Sequence, residues 1–244
     1  MDAEQKVDYI AKEKEVQSDS EKRNIRNVKI RLLKLALLIC LLFLIIIYFL
    51  LRVWFGDGGF VIRLNRDFSK KNGIILQETL ENPTYKFQLT AGDIKDLTNI
   101  SINWLPNNLH EEADGSHNGE NYLAYTFYLH NMGTNTVNYW YTIYVDDVIN
   151  RVDTAIRLML YRDNEERIVF AKQAAGGGTE PGTVQFESDE IVTSKEVKDF
   201  KPEDVNKFTI VMWVEGDDPE CLDDLLGGMI KMHMDITEEV IVTQ

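Results

Sequence analysis

The side chains best suited to chemistry in this 244-residue chain are carboxylates. The stretch EGDDPECLDD sets Glu215, Asp217, Asp218, Glu220, Asp223 and Asp224 around a Gly/Pro turn. Calcium takes about six to eight oxygen ligands, and clustered carboxylates on a turn supply several. The spacing is not that of an EF-hand loop. Two readings stand. In one, Asp217, Asp218, Glu220, Asp223 and Asp224 hold Ca²⁺. In the other, the default, Asp217 or Asp218 caps a helical turn starting at Pro219 while Asp223 and Asp224 face water. Asparagine also caps, so the pair of changes Asp217→Asn and Asp218→Asn is expected to abolish a calcium effect and leave metal-free stability nearly unchanged.

Other chemistries find less support. His110 and His117 in HEEADGSH are seven residues apart in a Gly/Asn-containing segment. Zinc proteases need H-E-x-x-H, two histidines one helical turn apart with a glutamate between them. There is no G-x-S-x-G, and no histidine lies near Cys221 in sequence. GGGTEPG lacks the Lys-Ser/Thr ending of a phosphate-binding loop. The residues therefore predict no catalytic site, no bound cofactor and no enzyme. Cys40 and Cys221 are the only cysteines. Cys40 falls in an apolar run and Cys221 in the acidic turn, so no intrachain disulfide is expected, and Cys221 reads as a small buried hydrophobe. An exposed Trp or Tyr beside Asp/Asn loops would mark a glycan-binding module, and Trp104, next to the 106–121 loop, is the hint.

The elements that must position these residues read as strands. YLAYTFYLHN (122–131) and VNYWYTIYV (137–145) are rich in aromatic and β-branched residues. They are separated by MGTNT, so a hairpin is expected. AIRLMLY (155–161) and RIVFAK (167–172) flank the polar DNEE and form a second expected hairpin. KFTIVMWVE (207–215) reads as a buried strand. MIKMHMDI (229–236) alternates, with Met229, Lys231, His233 and Asp235 on one face and Ile230, Met232, Met234 and Ile236 on the other. FVIRL, GIIL, YKFQL and LTNISINWL are weaker strands upstream. Short helical turns are expected at 146–153, 202–206 and 219–226, and mobile loops at 106–121 and 174–183. The profile is mainly β: a jelly-roll or β-sandwich domain preceded by one transmembrane α-helix.

That helix is the 32–51 run, with 19 apolar residues and only Lys34 charged. At about 1.5 Å per residue it matches a hydrocarbon core of about 30 Å. The sequence after it, RVWFGDGGF, carries no small-residue cleavage site, so a retained signal-anchor is expected. Lys22, Arg23, Arg26, Lys29, Arg31 and Lys34 crowd its N-terminal flank, whereas Arg52 is followed by no basic residue until Arg63. Positive charge stays cytoplasmic, which puts the N-terminus inside and the large domain outside at the plasma membrane. The expected organisation is a cytoplasmic tail over 1–31, disordered or a frayed helix, the span over 32–51, a hinge over 52–60, and the extracellular domain over 61–244.

Charge and length exclude whole classes. One span rules out a polytopic transporter, and two cysteines rule out a disulfide-stapled scaffold. Residues 1–34 carry nine Lys/Arg against seven Asp/Glu; with the chain at −14, the remainder is at −16. Such a domain repels phosphate backbones, so nucleic-acid partners are not expected.

YTFYLHNMGTNTVNYWYTIYV resembles a strand–Asn-x-Gly–strand hairpin of the camelysin/TasA-like surface proteins of Gram-positive bacteria. AIRLMLY and KFTIVMWVEGDDPECLDDLLGGMIKMHMDI are similar to the closing strands of that architecture, so the resemblance covers about 122–236. It implies a jelly roll and a role in bacterial surface structures, with a signal peptide normally removed. Camelysin also carries reported metalloprotease activity, for which the required histidine spacing is missing here. The uncleaved span departs from the family and implies a tethered subunit. The expected function is a single-pass surface domain with a structural or protein-interaction role. Its expected partners are the lipid bilayer and other surface or membrane proteins, including copies of itself. The alternatives are a calcium- or glycan-binding surface module and, behind it, an outward-facing hydrolase.

Overall fold

The computed structural model describes residues 29–48, 59–81, 84–92, 97–163, 165 and 167–238. The chain divides into two compact units, Met1–Gly56 and Asp57–Gln244. In the first, helix α1 (Lys29–Tyr48) has 20 residues, is long and apolar enough to cross a membrane, and has 0% of its apolar window buried. Residues 1–28 of the expected tail (1–31), the last residues of the apolar run (49–51) and most of the hinge (52–58) lie outside the described residues.

The second unit is mainly β. Its strands are β1 (Phe60–Leu64), β2 (Ile74–Gln77), β3 (Gln88–Thr90), β4 (Gly115–Ser116), β5 (Leu123–Asn131), β6 (Val137–Ile149), β7 (Ile156–Arg162), β8 (Ile168–Ala171), β9 (Val184–Gln185), β10 (Ile191–Phe200), β11 (Val205–Val214) and β12 (Met229–Thr237). They form two mixed sheets, one ordered β10-β6-β12-β1-β3 and the other β2-β5-β11-β7-β8-β9, with β4 beside β5. Among these strands only β1–β12 and β8–β9 pair in parallel.

One buried core takes side chains from both sheets. Ile62, Tyr139, Tyr141, Ile143, Met232, Met234 and Ile236 of the first meet Leu76, Tyr125, Phe127, Leu158, Leu160, Phe208 and Ile210 of the second. Phe208 stacks on Phe127 at 5.2 Å and meets Tyr141 of the other sheet edge-on at 5.5 Å. The alternation expected for 229–236 is present, with Ile230, Met232, Met234 and Ile236 turned to this core. The second sheet is also covered on its other side, where Leu105, Leu109, Ala124, Met159, Tyr161, Val169, Val211 and Trp213 form a smaller cluster. Burial on both faces explains why KFTIVMWVE is apolar nearly throughout rather than alternating.

The hairpin of 155–172 is observed as β7–β8. The one expected for 122–145 is not. β5 pairs with β2, β11 and β4, and β6 with β10 and β12, so the 132–136 connection carries the chain from one sheet to the other. Asn131 organises this corner: its amide donates to Asn135 O and Phe200 O, each at 2.9 Å, and accepts from Gly133 N at 3.0 Å. A Cβ on Gly133 would stand 1.9 Å from Asn72 O, so only glycine fits. Turn residues mark a reversal; they do not say whether the flanking strands pair.

Other elements differ from expectation for local reasons. LTNISINWL is not a strand but a 3₁₀ turn, Ile102–Trp104, capped by Ser101, with one bridge from Ile100 to Glu215. β10 (IVTSKEVKDF) is an edge strand whose charged residues mask its alternation in the sequence. Between β1 and β2 the chain forms helix α2 (Arg66–Asn72), capped by the Asn65 side chain and ended by left-handed Gly73. The turn expected over 146–153 is reduced to Val152–Thr154 because β6 runs on to Ile149, and 202–206 holds no helix because β11 starts at Val205. The 106–121 segment carries local structure of its own: α3 (Leu109–Glu112) buries Leu109 completely, and β4 lies within the segment.

Candidate functional site

The acidic turn is built where β11 runs out. Glu215 N donates to Ala155 O at 2.8 Å, and Ile100 pairs alongside through Gly216 N to Ile100 O at 3.1 Å. The Glu215 carboxylate is buried. It accepts from Trp213 Nε1 at 2.9 Å, Ile102 N at 3.1 Å and Asp217 N at 3.2 Å. Asp217 accepts from Ser101 Oγ at 2.6 Å. Two carboxylates thus clamp the 99–104 segment over Trp213.

Asp218 is buried too, and its Oδ1 accepts from Glu220 N at 2.7 Å, an Asx-type turn. Its Oδ2 is ion-paired with the buried Arg157 guanidinium. Glu180 lies on the same guanidinium at 3.6 Å. Burial raises the Glu180 pKa above the usual carboxylate range; repulsion from Asp218 adds to this, and Arg157 opposes it. Glu220 accepts from Ala175 N and so ties the glycine-rich 174–178 loop to the turn. Cys221 is half-buried rather than packed as a hydrophobe, with its sulfur accepting from Asn99 Nδ2 at 3.3 Å. The helical piece here is the 3₁₀ turn Asp223–Leu225, whose N-cap is Leu222. Neither Asp217 nor Asp218 caps a helix at Pro219.

The structure thus brings together Glu215, Asp217, Asp218 and Glu220, each already holding a donor of its own chain, and leaves Asp223 and Asp224 exposed. Among the described residues, no group of three or more His, Cys, Asp or Glu side chains is placed to hold a metal ion. The expectation that asparagine is harmless in place of Asp218 does not survive this geometry. The Asp218→Asn change would keep the turn but leave Arg157 facing a neutral amide.

His110 and His117 do not converge. The His110 ring stacks on Tyr161 at 4.5 Å, and His117 lies between Gly115 O at 3.0 Å and Leu109 O at 3.1 Å, closing the cover segment on itself. Trp104, at 78% exposure, stands bare on this surface, and Leu222 and Leu226 of the acidic turn are also exposed.

Two arrangements escaped the sequence. On the outer face of β12, His233 stacks on Tyr144 at 4.8 Å, with Nδ1 2.7 Å from Asp146 and Nε2 3.5 Å from Asp235. Burial pulls the His233 pKa down, but hydrogen bonds to Asp235 and Asp146 outweigh it, and the net shift is upward. The alternation of 229–236 already set His233 beside Asp235; only the β6–β12 register supplies Asp146. The second arrangement is a cleft around Trp140, assembled from residues 72 to 238 with no motif to announce it.

No family model matches the chain, and no curated protein matches it. Among solved structures the chain is similar to the crystal structure of a β-glucosidase from Kluyveromyces marxianus in complex with glucose, at 11% identity over 76% of this chain and 18% of that one. The TM-score is 0.26, and a likeness of that size carries no argument about fold or activity.

Proposed function

We propose that this protein is a single-pass membrane protein whose C-terminal β unit stands outside the plasma membrane, with a structural or protein-interaction role at the surface. The observation that carries the reading is α1, twenty residues of which none of the apolar window is covered by protein. A helix apolar all round needs lipid or a protein core about it. Basic residues on its N-terminal side favour a cytoplasmic N-terminus.

The β unit is a sandwich of jelly-roll kind in this reading. Support comes from strand order: setting aside β2, β3, β4 and β9, the sheets run β10-β6-β12-β1 and β5-β11-β7-β8. The chain alternates between them at β5–β6, β6–β7, β8–β10, β10–β11 and β11–β12, as in two interleaved Greek keys. β1 departs from that pattern by running parallel to β12. The likeness to camelysin/TasA-like proteins belongs to the same proposal and rests on sequence pattern alone. A role in binding draws on Trp104, whose exposed ring beside Asn103, Asn107 and Asn108 suits a glycan or a partner surface better than water. Alkaline carbonate extraction tests the anchor. The full chain should stay with the membrane pellet and leave it only in detergent; release by carbonate alone would refute the span.

A further inference from the structure

We infer that the outer face of the first sheet carries a binding site for neutral oligosaccharides, centred on Trp140. This goes beyond the anchored-module reading and does not depend on it. On β6, Tyr139, Tyr141 and Ile143 point into the core, so the pleat turns Trp140, Thr142 and Tyr144 the other way. Trp140 is in register with Glu196 of β10 on one side and Thr237 of β12 on the other. It is half-buried in a cleft of about 600 Å³, inside the range of about 300–1,000 Å³ typical of small-ligand sites.

The walls are amides, a hydroxyl and carboxylates: Asn72, Asn135, Thr136, Asn138, Asp199 and Glu238. Several are held in place. Asn72 Nδ2 donates to Phe68 O at 3.2 Å, and Asn138 Oδ1 accepts from Asp199 N at 3.0 Å. The side chains of Asn135, Thr136 and Trp140 make no hydrogen bond among the described residues. A flat, electron-rich indole face takes the C–H face of a pyranose ring. Amides, which both donate and accept, match vicinal hydroxyls.

Charge selects among ligands. Glu238 is paired with Lys71 at 2.9 Å and Glu196 with Lys198 at 3.3 Å, which leaves Asp199 as the carboxylate with no basic partner among the described residues. The residual negative charge disfavours anionic sugars. One residual charge in an open, wet cleft gives little grip on a basic peptide.

The test uses the full chain in lipid nanodiscs, with calorimetry and saturation-transfer NMR. The probes are cellotetraose, maltotetraose, N-acetylated chitotetraose, tetragalacturonate and tetralysine. At least one neutral tetrasaccharide should bind, and tetragalacturonate should bind about tenfold more weakly or not at all. Trp140→Ala should weaken the neutral sugar about tenfold. If Trp140→Ala melts early, Asn135→Ala carries the test, because that exposed side chain supports nothing in the fold; it should weaken binding about threefold. Binding of no neutral probe, wild-type affinity in both Trp140→Ala and Asn135→Ala, or tetralysine as the tightest ligand would overturn the proposal.

Discussion

Leucine and isoleucine have opposite fates in the two units of this protein. In α1, Leu33 and Leu37 are each 68% exposed, and apolar side chains occupy every side of the helix. In the β unit, Ile62, Ile143, Leu158 and Ile210 are completely buried. The outer face of the first sheet carries Thr142, Ser194, His233 and Asp235 instead. One element has its apolar surface unsorted; in the other, the first sheet sorts it by the two-residue pleat and the second sheet buries both of its faces. An unsorted apolar helix fits hydrocarbon, whereas a sorted, strongly acidic β unit fits water. In the proposed reading the two units suit different solvents, and changes that blur this contrast should act on one unit alone.

The largest effect is expected in the helix. Charging its centre with Leu41→Asp and Leu44→Asp should cost about 2.5–3.5 kcal/mol per residue of insertion free energy. The protein should move from the membrane to the soluble fraction while the melting of the β unit stays unchanged. If the double variant remains membrane-bound, helix insertion is not what holds the protein there. Trp213→Ala should do the converse: it empties the smaller core, leaves the Glu215 carboxylate short of a donor, and costs about 3–5 kcal/mol. Urea melts followed by circular dichroism would measure it, and membrane partition should not move.

A smaller loss tests the acidic turn. Asp218→Asn should destabilise the β unit by about 1–3 kcal/mol, less than breaking an isolated buried pair, because Glu180 remains beside Arg157. Asp217→Asn, whose partner is the exposed Ser101 hydroxyl, should cost under about 1 kcal/mol. Thermal melts with and without millimolar calcium should coincide, since most of these carboxylates already hold donors. A rise of several degrees that Asp223→Asn with Asp224→Asn abolishes would instead establish a calcium site.

The smallest effect is pH dependence at His233. Its folded pKa lies above the ordinary value of about 6.5, so the stabilisation is complete below about pH 6.5 and is lost as pH rises through the folded pKa. Asp146→Asn should flatten that slope above about pH 6.5 in urea melts. An unchanged slope would show that the contact with Asp146 does not hold the imidazolium.

Much of this contrast could be read from the chain. The apolar run and the strands at 123–131, 156–171, 207–214 and 229–236 follow from composition and alternation, because burial acts directly on side-chain type. Pairing was less legible. Nothing local in MGTNT says that β5 and β6 part to opposite sheets, and the corner's contacts come from Asn72 and Phe200, far away in sequence. Edge strand β10 hid behind its charges. The acidic turn was visible as a cluster, but its meaning was not, since the partners Arg157, Ser101 and Ala175 arrive only through the fold. The Trp140 cleft draws on α2, β6, β10 and the end of β12, and no spacing rule reaches across four elements.

Protease accessibility on intact cells puts the two-solvent account to its most direct test. With antibodies to both ends of the chain, added protease should remove the β unit from Phe60 onward and spare a membrane-held fragment from Met1 to about Arg52. A β unit that stays intact until the membrane is permeabilised, while the N-terminal epitope is lost first, would contradict the orientation and with it the surface role.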